Sequence, residues 1–161
     1  MSRDQPASPE LLNAMLQEIR RMSVETMLLS AVVADRIDIN ATDLTWLALL
    51  PPDRELTAGE LAELSGLTTG AVTGLIDRLE RAGFVERRRD PEDRRKVFIR
   101  QNPGNGERIE PHFSRATEQV RELWATYSDE ELKLLSNFFA RSHQILHAER
   151  MRFRQEGSAD T

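Results

Sequence analysis

Seven basic residues fall between Arg87 and Arg100: Arg87, Arg88, Arg89, Arg94, Arg95, Lys96 and Arg100. Only Asp90, Glu92 and Asp93 oppose them there, so this segment carries +4 and the remainder −9, within a net charge of −5. Guanidinium groups concentrated on an acidic body suit a focused phosphate contact better than broad coating of a polyanion. On charge alone, a solvated hairpin fits equally well. A second group lies just upstream, where Thr68, Thr69, Gly70, Thr73, Gly74 and Arg78 share the outward side of one helical stretch with Asp77. Small and hydroxylated residues let a backbone come close to phosphate, and Thr bonds either phosphate or a base edge. Gly74 costs about 1 kcal/mol against Ala inside a helix, so helix stability did not select it.

Other chemistries find less support. With no cysteine, disulfides, Cys-ligated zinc, iron–sulfur clusters and thiol chemistry are excluded. His143 and His147 stand four apart, a spacing that suits one metal, but only Glu149 and His112 offer themselves as further ligands. The pair reads as solvated or interface histidines, and no metal or cofactor is expected. No phosphate loop, nucleophile elbow or metalloprotease helix is present, and Glu130-Glu131 is explained by helix capping. The chain reads as no enzyme. No apolar run approaches a membrane span, and MSRDQPASPE lacks the apolar core of a secretory signal, so a cytoplasmic protein without a membrane partner is expected.

The elements that must position these residues are well punctuated. Ser8-Pro9-Glu10 opens a long amphipathic helix reaching about Ala34, and a shorter one is expected from Ala41 to Leu50, ended by Pro51-Pro52. Thr57-Ala58-Gly59-Glu60 is a capping box stapled by Leu56 and Leu61, and its helix must stop near Gly66. Thr68 caps the next helix, which buries Ala71, Val72, Leu75, Ile76 and Leu79 and closes at Gly83. Two helices joined by about three residues around a glycine form a helix-turn-helix. Phe84–Arg89 and Arg95–Arg100 flank an Asp-Pro turn, which predicts a β-hairpin. A helix-turn-helix followed at once by a basic hairpin is a winged helix: one helix for the major groove, a wing for the minor groove. Asp93, two residues before Arg95, is placed to orient that arginine or the loop. Beyond Pro103-Gly104 a helix runs to Tyr127, kinked or started by Pro111, and Ser128–Glu131 caps a last one.

The expected fold is therefore mainly α with a small β-hairpin wing, a winged helix-turn-helix flanked by N- and C-terminal dimerisation helices. Its parts are a flexible tail (1–7), an N-terminal dimerisation helix (8–40), the DNA-binding unit (41–102), C-terminal dimerisation helices (103–156) and a second tail (157–161). Apolar rows on Leu11–Val33 and Leu132–Leu146 exceed what so small a core could bury, which predicts a homodimer.

Leu56-Thr57 through Glu63, Gly-Leu-Thr (66–68), Gly-Ala-Val-Thr (70–73), Asp-Arg-Leu-Glu (77–80), Ala-Gly-Phe-Val (82–85) and Asp-Pro-Glu-Asp-Arg-Arg (90–95) together resemble the MarR (multiple-antibiotic-resistance regulator) family. The likeness is close over about residues 56–100, and the flanks agree in length and order only. It implies a bacterial homodimeric transcription factor, usually a repressor, bound to pseudo-palindromic double-stranded DNA. Arg95 then matches the family's minor-groove wing arginine and Asp93 its acidic partner. Many members carry a basic residue where this chain has Gly74, so direct readout here is expected from Thr69, Thr73 and Arg78, with more weight on the wing and on DNA shape. The family's effectors often sit between dimer helices and winged helix. Trp46, His112 and Phe113 are the candidates to line such a small-molecule pocket, although Trp46 also reads as plain core. The competing reading is a winged helix that contacts protein and has no specific DNA affinity.

Overall fold

The computed structural model of the chain describes residues 8–93 and 96–159. Helix α1 (Pro9–Arg36) starts at Ser8, whose hydroxyl accepts from the Leu11 N–H at 3.2 Å. Helix α2 (Ala41–Leu47) is capped by Asn40, which accepts from the Asp43 N–H at 2.7 Å. It ends three residues before the expected Leu50. Leu49 and Leu50 donate only three residues back, to Trp46 and Leu47, so the last turn tightens ahead of the prolines.

Strand β1 (Leu56–Thr57) leads into α3 (Ala58–Ser65) through the expected capping box, in which Thr57 and Glu60 exchange hydrogen bonds. The Thr57 backbone and hydroxyl donors hold the Glu60 carboxyl below its ordinary range. Gly66 closes α3 at φ 80°, a conformation that side chains with a Cβ resist. Thr68 then caps α4 (Thr69–Arg81) by accepting from the Ala71 N–H at 3.3 Å. Beyond α4 come β2 (Val85–Arg89) and β3 (Val97–Gln101), paired antiparallel with Arg87 opposite Ile99. The sequence predicts this hairpin alone. The sheet has a third strand, because β1 pairs with β3 and sets Leu56 opposite Ile99.

Helix α5 (Asn105–Trp124) passes through Pro111 without ending, and α6 (Asp129–Ala159) opens on the Ser128–Glu131 capping box. The tail expected from Gly157 is helical as far as Ala159, while the one expected at 1–7 lies outside the described residues.

The core is compact and belongs to the winged helix. Leu47, Leu56, Val72, Leu75, Ile76, Phe84, Val85 and Ile99 are all nearly inaccessible. Ala71 is exposed, contrary to its expected burial: the first turn of α4 stands clear of the body, and the buried stripe begins at Val72. Helices α1, α5 and α6 differ in character. Leu16, Met27, Leu123, Leu134, Ile145, Leu146 and Phe153 are all more than half exposed, an apolar surface that this single chain leaves uncovered. No described helix is long and apolar enough to cross a membrane.

Candidate nucleic-acid interface

The exposed first turn of α4 presents the small polar group intact. Thr68, Thr69, Gly70 and Thr73 are exposed, and a methyl group added at Gly70 would meet nothing within 4 Å. The Thr73 hydroxyl donates to the Thr69 carbonyl at 2.9 Å, which leaves its lone pairs to accept. The free N–H groups and helix dipole at this end favour an anion.

Arg78 stands differently. Its Nε donates to Asp43 Oδ2 at 2.9 Å and its Nη2 to Asp43 Oδ1 at 2.7 Å, a two-point grip on a carboxylate only 3% exposed. That hydrogen bonding raises the affinity of the guanidinium for its proton. The sequence gives Arg78 to DNA, whereas the structure commits two of its three nitrogens to α2.

The wing divides its cations between structure and surface. Arg87 reaches back to Asp77 and Glu80 on α4 and fastens β2 to the helix. Burial opposes its charge, and the hydrogen bonds it donates to Asp77 and Glu80 outweigh that effect, so its pKa is raised. Arg88 pairs with Glu55 at 2.8 Å, and Arg100 pairs across the strands with Glu86. Arg89 and Lys96 are exposed and form no ion pair among the described residues. Asp90 shapes the turn by accepting from the Glu92 N–H at 2.7 Å and the Asp93 N–H at 3.2 Å, contacts that hold its carboxyl below its ordinary range. Asp93 is half-buried in that turn, and its carbonyl accepts from the Lys96 N–H at 2.8 Å. Arg94 and Arg95 lie outside the described residues.

Helix α5 grips the far end of α4. Arg108 donates to the carbonyls of Ala82 and Gly83 at 3.3 Å and stacks 3.7 Å above the Phe84 ring. A cation there suits the negative end of the helix, and the ring face adds cation–π attraction. Asp77 and Glu80 stand in the family-like run 77–80, but the pairings that make Asp43, Asp77, Glu80 and Arg108 anchors are not visible in the sequence, because each spans a separation that no local period reports.

Beside α2 lies a cavity of about 660 Å³, walled by Met27 and Ser30 of α1, Leu44, Trp46 and Leu47 of α2, and Ile109 and Phe113 of α5. Of the three residues expected there, Trp46 and Phe113 line it and His112 does not. One turn separates Phe113 from Ile109 on α5, and His112 points off that row. Trp46 is also 92% covered and belongs to the core as well as to the cavity wall. Among the described residues no cluster of three His, Cys, Asp or Glu could hold a metal. The His143 and His147 rings are neighbours, with centroids 6.1 Å apart and planes tilted by 38°.

Comparison with known proteins converges on one group. The MarR family model matches residues 39–97. An uncharacterized HTH-type transcriptional regulator of Bacillus subtilis (strain 168), YcgE, is 36% identical over 146 residues, covering 91% of this chain and 95% of the relative. The HTH-type transcriptional repressor YetL of the same organism is 37% identical over 93 residues, 55% of this chain and 56% of the relative. Among solved structures, Streptococcus pneumoniae FabT, determined in complex with DNA, shares the fold with a TM-score of 0.67 at 20% identity, over 88% of this chain and 99% of that one.

Proposed function

The chain belongs to the MarR family and is a DNA-binding transcriptional regulator; we propose that it works as a homodimeric repressor on a two-fold symmetric operator. The observation that carries this reading is the division of cations on the wing. Arg87 and Arg100 serve the fold, while Arg89 and Lys96 stay open at the hairpin beside the exposed start of α4. Thr68, Thr69, Gly70 and Thr73 enter the major groove, and the wing tracks the adjacent minor groove through Arg89 and Lys96. The family resemblance adds Arg94 and Arg95 to that wing contact, with Asp93 orienting Arg95.

Dimerisation is supported by the uncovered apolar faces of α1, α5 and α6. Joining two copies through these helices sets the two reading helices about one DNA turn apart, ~34 Å. The repressor mode is supported by the likeness to YetL. A small apolar effector fits the cavity between α1, α2 and α5, whose volume lies in the range of ordinary ligand pockets. Binding there would act on α2 and α5, the two helices that hold α4 through Asp43 and Arg108.

Footprinting on the DNA upstream of the gene tests the reading. Two protected half-sites are expected, with centres roughly 10–10.5 base pairs apart or a multiple of that. One asymmetric patch would contradict the dimer, and no protection would contradict operator binding.

A further inference from the structure

The geometry points to Asp43 as a positioning residue that sets operator specificity, by fixing which edge of the Arg78 guanidinium faces DNA and by cancelling its charge. Asp43 lies on α2, outside the helix-turn-helix, and is buried. Its carboxylate accepts from Arg78 twice and from Asn40 Nδ2 at 2.9 Å, so three donors fix it. The Arg78 side chain is 45% exposed by contrast. Its Nη1 forms no hydrogen bond among the described residues.

Gly74, one turn earlier on α4, explains where that free edge looks. A Cβ at Gly74 would stand 3.7 Å from Arg78 Nη1, and any longer side chain would extend across it. Glycine therefore keeps the outer edge of the guanidinium uncovered, on the side of α4 that leads to Thr73 and Gly70. A buried carboxylate is a poor way to join two helices, since apolar contact would hold them at least as well. What the pair does supply is direction. An arginine held on two nitrogens offers its third as an aimed donor, whereas a free arginine swings to the nearest phosphate. Held in this way it reads position and adds little to bulk attraction for DNA.

This inference rests on the proposal that α4 reads an operator, and the test keeps the two apart. Asp43→Asn retains the shape and removes the charge. Binding of the variant and parent dimers to the upstream duplex and to a scrambled duplex is measured across a salt series. Releasing one guanidinium per protomer should steepen the log–log salt slope by about 1.8 for two added phosphate contacts. Preference for the operator should fall at least tenfold, mostly through tighter binding to scrambled DNA. Adding Arg78→Ala to Asp43→Asn should return the slope to the parental value. Asp43→Glu keeps the charge and moves the guanidinium, so it should lower preference with the slope unchanged; it also serves if the Asn variant folds poorly. Equal losses on both duplexes at an unchanged slope would mean a merely structural pair and overturn the inference. A parent chain that binds neither duplex specifically would instead overturn the reading beneath it.

Discussion

On the proposed dimer, a chain carrying Leu134→Glu together with Ile145→Glu is expected to elute as a monomer at micromolar concentration and to bind its operator about 10²–10⁴-fold more weakly than the parent. Both side chains are about two-thirds exposed on α6, and neither belongs to the winged-helix core. The loss therefore comes from separating two reading heads and leaves each of them intact. A dimer tethers its second head at high effective concentration once the first has bound, and a monomer forfeits that gain. Affinity for a single half-site should change little. Light scattering checks the mass, and anisotropy on full and half operators checks the affinities. A variant that stayed dimeric, or a monomer that bound the full operator within threefold of the parent, would remove the terminal helices from the account.

Phe84→Ala should have the largest effect on stability, about 3–5 kcal/mol. The ring is completely buried where α4 turns into β2, between the left-handed Gly83 and the start of the wing. Its outer face carries the Arg108 guanidinium, and its carbonyl accepts from the Asn102 N–H and from Asn105 Nδ2. Truncation leaves a cavity under three elements and takes away the surface on which Arg108 stacks. The expected drop in Tm is roughly 10 °C or more. Phe139→Ala on α6 is the informative control, because that side chain is 45% exposed in the single chain. Its effect on Tm should vary with protein concentration, as that of an interface residue does, while the Phe84 effect should not. A drop of less than about 2 °C for Phe84→Ala would contradict the packing described.

What could be read from the sequence follows the range of the interactions. Thr57 with Glu60, Gly66, Thr68, Gly83 and Ser128 with Glu131 are all signals spanning three or four residues, and each ends or starts a helix where its chemistry requires. The apolar spacing of Val72, Leu75, Ile76 and Leu79 likewise reports a buried face directly. Leu56–Thr57 announces the start of a helix and carries no strand pattern. It is a strand only because Ile99 and Phe98 come alongside, some forty residues later. Ala71 carries the right residue type for the core stripe, yet it falls on a turn with nothing packed over it. For the interface, residue types identified the exposed threonines and the glycine beside them. They could not separate Arg87, tied to Asp77 and Glu80, from Arg89, which is open. They also could not reveal that Asp43 holds Arg78 from 35 residues away. Partition of like charges between structure and surface is a tertiary property.

The most direct test of the central claim is fluorescence anisotropy with the DNA upstream of the gene beside a scrambled duplex of equal length, titrated in salt. An operator-specific regulator should bind the native duplex tighter by on the order of a thousandfold, with a log–log salt slope of several units. Equal and weak binding to both duplexes would contradict it and would favour a winged helix that holds a protein partner.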